Sequence, residues 1–309
     1  MRIFVYEHLT VHGIGRDPDS PDHGMYREGQ AMRNAVVADL EAMADVAVVG
    51  PDDAEFGIVI APETGGVLEE RVQHFQATHR LIASSLSALA LTGDKLALAD
   101  HWQRYGVPTP FTASAADWPS TRVPAVLKPR DGAGSCETYL CADDATFRRR
   151  VIERMAAGPP MIAQDFAPGR PASVAFLVGP NQTLALPPTF QTLSTDGRFQ
   201  YLGGELPIPQ ELAERATAIG TRAVESVTGL GGFVGVDLIL GDAADGSGDR
   251  AIEINPRLTT SYVGLRALAG TNLAAAMLTA FEGGVVGFLP WKSGRIAFSP
   301  DGSIFLPSG

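Results

Sequence analysis

Residues 231–257 run Gly-Gly-Phe-Val-Gly-Val-Asp-Leu-Ile-Leu, then Gly-Asp-Ala-Ala-Asp-Gly-Ser-Gly-Asp, then Arg-Ala-Ile-Glu-Ile-Asn-Pro-Arg. Phe233–Leu240 is apolar and β-branched, residues 241–249 are turn material, and Arg250–Asn255 returns with Ala251, Ile252 and Ile254. The spacing predicts a hairpin-like strand pair with a long tip. Alternation puts Glu253 and Asn255 on one face of the second strand, and pairing brings Asp237 beside them. Two carboxylates and an amide oxygen then converge with no evident cation among them. Such a cluster is costly unless a hard divalent ion neutralises it, and Mg²⁺ takes oxygen ligands and is usually shared with nucleotide phosphates. Arg257, behind the rigid Pro256, adds a guanidinium suited to phosphate at the same edge. The competing expectation is a surface strand pair whose acids are simply solvated.

Upstream, Val123–Pro129 is a strand whose single charge is Lys128, followed by Arg130-Asp131-Gly132-Ala133-Gly134-Ser135. A glycine-rich loop lets backbone N–H groups approach phosphate oxygens, and a lysine leaving the strand beside it supplies the matching charge. Asp-Gly alone is also a common hairpin turn. No Gly-Lys-Ser/Thr follows at a helix start, which excludes a Walker P-loop. Thr92-Gly93-Asp94-Lys95 opens a helix carrying Leu96, Leu98 and Trp102; Asp94 is the expected N-cap, and Gly106 with Pro108 and Pro110 stops it. Taken alone, Lys95 is a solvated surface lysine. A basic amphipathic helix is expected over Thr146–Ala157 with Phe147, Val151, Ile152 and Met155 inward. Cys136, beside the glycine loop, is expected to be a small packing residue.

The first ninety residues alternate strand and helix: strands at Arg2–Tyr6, Val46–Val49 and Phe56–Ala61, helices at Gly29–Met43 and Gly66–Gln76. This βαβ order predicts a small parallel sheet of Rossmann type whose ligand edge lies at the strand C-termini. Glu7, Glu63 and Thr64 fall there, under a long loop from Thr10 to Arg27. His8, His12 and His23 are spaced irregularly and are expected to be solvated loop histidines rather than a metal site. Beyond Arg257, a helix from about Tyr262 is expected to offer free N–H groups as a carboxylate seat, with Thr260 or Ser261 capping and Arg266 extending it.

The 309 residues are 45% hydrophobic and 19% charged, a composition for two or three folded domains. A net charge of −11 argues against nucleic acid as the main partner. Two cysteines, Cys136 and Cys141, suggest reduced thiols in a cytoplasmic protein. Neither a signal-peptide pattern nor an apolar run of membrane-spanning length is seen, so no membrane partner is expected.

Asp237, the Glu253-x-Asn255 pair and Asn255-Pro256-Arg257 resemble the metal-binding end of the ATP-grasp ligases. The lysine of Thr-Gly-Asp-Lys with its downstream Gly-Val-Pro-x-Pro, and Lys128-Pro129 with its glycine loop, resemble that family's two phosphate-binding lysines. The resemblance covers nearly the whole chain. It implies an ATP-grasp fold, α/β and α+β: an N-terminal Rossmann-like (pre-ATP-grasp) domain at 1–93, ATP-grasp subdomain A at 94–170, and subdomain B with the metal site at 171–309.

It further implies that Lys95, Lys128, Gly132, Ala133, Gly134, Ser135, Gln164, Phe166 and Ala167 bind ATP. Asp237, Glu253 and Asn255 would hold Mg²⁺, with Mn²⁺ as the alternative ion. Lys128 and Arg257 would act on the transferring phosphoryl group, and Glu7, Glu63, Thr260 and Ser261 would line the substrate end. One departure is that Arg170-Pro171-Ala172 stands where family members often carry a ribose-binding glutamate.

The implied reaction is amide formation through an acyl phosphate with release of ADP. The amino-acid and amine substrates are expected to be glutamate and an arylalkylamine such as tyramine, with Glu7 or Glu63 deprotonating the amine and Tyr6, Tyr26 and Tyr262 available as an apolar wall. A carboxylase-like enzyme activating bicarbonate and a non-catalytic ATP-binding protein remain the alternatives, and a homodimer is left open.

Overall fold

A computed structural model of the protein describes residues 1–155 and 158–306. Its strands form three sheets. The first is parallel, in the spatial order Ala47–Val48, Arg2–Glu7, Phe56–Ile60, Arg80–Leu81. Its central strands are apolar on both faces because both are covered. Ile3, Val5, Ile58 and Ile60 face Met32, Val36 and Leu40 of the helix His23–Glu41. Phe4, Tyr6 and Val59 face Leu68, Val72 and Phe75 of the helix Val67–Gln76.

The helix His23–Glu41 starts six residues before the expected Gly29, inside the stretch read as a long loop. That stretch also contains the end of a short helix, His8–His12, whose N-cap is the Glu7 carboxylate. Gly, Asp and Pro between 13 and 22 mask both helix ends in the sequence, because the connection they form is bounded by His12 and His23 and does not run from Thr10 to Arg27.

The second sheet is antiparallel, in the order Thr112–Ser114, Met161–Asp165, Ala125–Pro129, Tyr139–Cys141. One of its faces is covered by the helix Asp144–Met155 through Phe147. Ile152, expected inward, is 71% exposed, since a residue five positions from Phe147 lies about 140° round the helix. The side chain of Met155 and the expected helix end at Ala157 lie outside the described residues.

The third sheet has eight strands. Its centre is Arg170–Gly179 paired antiparallel with Gly232–Leu240, which pairs in turn with Arg250–Asn255 as expected. Helix Gln210–Glu225 packs on one face of this sheet, sharing a core with Leu98 and Trp102 of helix Lys95–Arg104. Helices Ser261–Leu268 and Leu273–Phe281 join the opposite face to helix His23–Glu41, so the parallel sheet and the eight-stranded sheet share a continuous core. At the end of the central strand the backbone approaches so closely that a Cβ on Gly179 would lie 1.7 Å from the Ala280 carbonyl oxygen. No helix among the described residues is long and apolar enough to cross a membrane.

Candidate active site

One cleft opens between the second and third sheets and is closed at one end by helix His23–Glu41 and the turn after Arg257. Strand register builds its polar floor. Asp237 lies directly opposite Glu253, and Gly235 opposite Asn255, so the three side chains share the cleft face as alternation requires. Asn255 Nδ2 donates to Asp237 Oδ2 at 2.9 Å, and Gln191 Nε2 donates to Asp237 Oδ1 at 2.8 Å.

The cluster is not without a cation. Lys95 Nζ lies 2.9 Å from Glu253 Oε2 and donates to the Gly132 carbonyl at 2.7 Å. Lys95 is therefore no surface lysine. Asp94 caps its helix by accepting from the N–H groups of Leu96 and Ala97, which aims the first turn into the cleft.

Burial and the neighbouring Glu253 push the Asp237 carboxyl above the usual range. Burial acts on Glu253 in the same direction, but Lys95 and Lys128 outweigh it and hold that carboxyl low. Burial disfavours the charge of Lys95 too, and Glu253 reverses the effect so that its pKa rises. Lys128 has no such carboxylate at contact distance. Burial, offset in part by Glu253 and aided by the charge of Lys95, brings it down to about 8.

The donors fit a hard divalent ion: two opposed carboxylates and an amide, all oxygen-bearing, with burial and Glu253 disfavouring the charge of Asp237 where no cation offsets them. No group of three or more His, Cys, Asp or Glu side chains suited to a metal occurs among the described residues. The three histidines expected in a solvated loop instead lie in helices, with His8 and His23 half-buried. His8 and His12 both bond the Tyr6 hydroxyl at 3.0 Å, and His23 bonds the Gly15 carbonyl.

Lys128, Gly132, Ala133, Gly134, Ser135, Gln164, Phe166 and Ala167 all line the cleft. The Gln164 amide is committed, accepting from Lys128 Nζ and donating to Thr112 Oγ1, both at 3.0 Å. It orients the lysine instead of standing free to read a base. The glycine loop is tied to the N-terminal sheet, since the Ala133 N–H donates to Thr64 Oγ1 and the Gly65 N–H to Asp131 Oδ2. Gly134 sits at φ +64, a backbone conformation that favours glycine, with the flexible Met25 side chain packed against it. Cys136 is exposed, not packed. Arg170, in the place of the ribose glutamate, pairs with Glu205 at 2.7 Å.

At the other end, Arg257 forms a two-pronged pair with Glu63, Nε–Oε1 2.9 Å and Nη2–Oε2 3.0 Å, across 194 residues of sequence. Arg257, Thr260 and Ser261 line the cleft, whereas Glu63 stands behind Arg257. Glu7 is outside the cleft altogether. It is buried, caps helix His8–His12 and abuts Gly29, where a Cβ would meet its carboxylate at 2.5 Å. A strand-end carboxylate next to free helix N–H groups is drawn to them first.

Thr260 does not cap its helix: it is itself in helical conformation, and its hydroxyl donates instead to Glu28 Oε2 at 3.2 Å. Arg266 is held away from the cleft by Asp39, as is Tyr262. Tyr6 and Tyr26 are buried in packing, and the aromatic side chains that do line the cleft are Phe166, Phe199 and Tyr201. Glu28, Gln191, Phe199 and Tyr201 escape sequence reasoning. For Glu28 no local signal existed: it lies within the second helix, His23–Glu41, in a stretch that reads as loop.

Residues 92–261, more than half of the chain, match the ATP-grasp domain family model. Tyramine–L-glutamate ligase of Methanocaldococcus jannaschii is 34% identical over 220 residues, 70% of this chain and 59% of its own length. That of Methanocaldococcus fervens is 27% identical over 217 residues, 69% of this chain and 62% of its own. The chain thus spans about three fifths of the length of these curated relatives.

Among solved structures, an ATP-grasp superfamily protein from Archaeoglobus fulgidus superposes with a TM-score of 0.71 at 24% identity, covering 97% of this chain and 92% of the other. Carboxyaminoimidazole ribonucleotide synthase from Aspergillus clavatus, complexed with ATP, gives 0.67 at 13% identity, covering 96% and 81%. At these identities the two solved structures share the fold, and the family match places the lysine pair, the glycine loop and the carboxylate strand pair within one domain: the chain belongs to the ATP-grasp family.

Proposed function

We propose that the protein is an ATP-dependent ligase that joins a carboxylic acid to an amine through an acyl phosphate, releasing ADP and phosphate. The observation that carries this is the convergence of two buried lysines, Lys95 and Lys128, with the opposed Asp237 and Glu253 and with Arg257 around one cleft.

ATP enters with its base toward the apolar part of the cleft, Val126, Phe166, Leu193 and Ile252, and its phosphates toward the lysines. Lys95 exchanges its Glu253 and Gly132 partners for phosphate oxygens. Lys128, already held by Gln164, loses little freedom in doing the same. A Mg²⁺ or Mn²⁺ ion held by Asp237, Glu253 and Asn255 would neutralise charge on the phosphates when bound.

Arg257 is oriented by Glu63 before any substrate arrives. Its Nη1 also donates to the Leu258 carbonyl at 3.1 Å, and the N–H groups left over would meet the phosphoryl group as this passes to the acid, where preorganised charge is worth most. The seat for a substrate carboxylate is the turn at Thr260 and Ser261, which line the cleft, and not the free helix N–H groups expected from the sequence, since those of Tyr262 and Val263 are already bonded to the Thr259 and Thr260 carbonyls.

The names of the two curated relatives support glutamate as the acid and tyramine as the amine. Free thiols at Cys136 and Cys141 agree with action in the cytoplasm. The test is ADP release from Mg·ATP with glutamate plus tyramine, with other acid and amine pairs, and with bicarbonate alone. Release that needs both an acid and an amine is expected. Release with bicarbonate alone, or none with any pair, would overturn the proposal.

A further inference from the structure

The ligase reading leaves one chemical requirement without an agent. An aliphatic amine arrives as an ammonium ion and cannot attack until it loses a proton. Neither acid expected to remove it is available, because Glu7 caps a helix outside the cleft and Glu63 is bound on both oxygens by Arg257.

The other acids of the cleft are also engaged: Glu253 by Lys95, Asp237 by Gln191 and Asn255, and Asp165 by Arg122. Glu28 is different. It lines the cleft from helix His23–Glu41, and among the described residues it has no salt-bridge partner. Its contact is the Thr260 hydroxyl, which reaches Oε2 alone and leaves Oε1 open.

We propose, on the ligase reading, that Glu28 receives the acceptor amine: its carboxylate holds the incoming ammonium and takes the proton that the nitrogen must give up before attacking the acyl phosphate. The surroundings suit this task. Thr260 stands at the start of helix Ser261–Leu268, so Glu28 and any substrate carboxylate seated there are two anions at one end of the cleft. Such a pair is tolerated when a cation enters with the substrate, and the ammonium is that cation.

The titratable groups that face Glu28 are Arg257, Tyr201 and Cys136. Burial pushes its carboxyl up to about 7, against the pull of Thr260 and Arg257, so a proton is taken and returned near neutral pH. In the step itself, R–NH₃⁺ and Glu28 carboxylate become R–NH₂ and Glu28 carboxylic acid. The nitrogen lone pair then forms the C–N bond as the C–O bond to phosphate breaks. The second nitrogen proton leaves with the phosphate as HPO₄²⁻, and Glu28 returns its proton to solvent.

The experiment compares two nucleophiles on the full chain with Mg·ATP and glutamate: tyramine, protonated at neutral pH, and hydroxylamine, which is already neutral there and traps acyl phosphates as hydroxamates. Glu28→Gln should lose about 100-fold in amide formation with tyramine while hydroxamate formation is unchanged. Its residual tyramine rate should climb as pH rises and free amine accumulates, and Glu28→Asp should recover part of the loss.

If Glu28→Gln and Glu28→Asp lose hydroxamate and amide alike, Glu28 serves the acid or the fold, and the assignment is wrong. An unchanged tyramine rate in Glu28→Gln also overturns it. Wild-type protein that makes no hydroxamate overturns the ligase reading itself, and the role of Glu28 with it.

Discussion

The Arg257–Glu63 pair joins the parallel sheet to the Asp237–Glu253 edge of the eight-stranded sheet, and removing one partner should be costly. Their side chains are only 13% and 7% exposed, and both prongs are within 3.0 Å. With charge centres about 4 Å apart and an effective dielectric near 20, the attraction is about 4 kcal/mol. Glu63→Gln removes that charge but keeps one acceptor, which returns about 1 kcal/mol. A loss of about 3 kcal/mol in unfolding free energy is therefore expected, at the low end of what breaking a buried pair costs.

Arg257→Met strands Glu63 instead and should cost a similar amount. The double variant should be less unstable than the sum of the two by about 2–3 kcal/mol, because no unpaired charge is left. Urea titrations of the four proteins, followed by circular dichroism, measure the cycle. If each single variant costs under about 1 kcal/mol and the two add within about 0.5 kcal/mol, the pair does not hold the two sheets together and Arg257 is not prepositioned by it.

Glu7→Gln should lower stability by about 1 kcal/mol through the weakened cap and leave the KM for both organic substrates unchanged in steady-state assays. A raised KM would return Glu7 to the substrate site. Lys128→Met should weaken ATP binding about 10- to 100-fold by calorimetry, the value of one or two charge-assisted contacts. Its thermal midpoint should not fall, since burial already disfavours this charge.

Glu28 has a folded pKa raised from 4.5 to about 7, so the native state holds a proton that the unfolded chain has released. Stability should then fall as pH rises through that window, and Glu28→Gln should be the more stable protein at pH 8, by up to about 3 kcal/mol, with the difference gone near pH 4. Equal pH profiles for the two proteins would show that the carboxyl is not perturbed. Gly179→Ala, which drives a Cβ into the Ala280 carbonyl, should cost well over 1 kcal/mol or abolish folding; a neutral outcome by thermal melt would contradict the close approach.

The sequence alone determined the strand pair 233–255 and that Asp237 meets Glu253, because period-2 alternation and a turn-rich tip are local properties, but not the register shift between Asp237 and Leu238. Asp237, Glu253, Asn255, Arg257, Lys128 and the glycine loop could be singled out from charge and glycine placed against apolar strands, whereas Lys95 is marked only by the family resemblance; all of them meet in the cleft.

Tertiary structure alone decided how they are partnered. Lys95 neutralises a carboxylate 158 positions away, and Glu63 goes to Arg257 rather than to substrate. Nothing in a linear pattern records such pairs, since contact between distant strands depends on how whole sheets pack. The same holds for the acids. Glu7 and Glu28 look alike in the sequence, yet Glu7 lies beside unfilled helix N–H groups and is consumed by them. Glu28, one helix further on, faces the cleft with a single hydroxyl against it. A buried carboxylate takes the nearest donors available, and only the folded chain determines which donors those are.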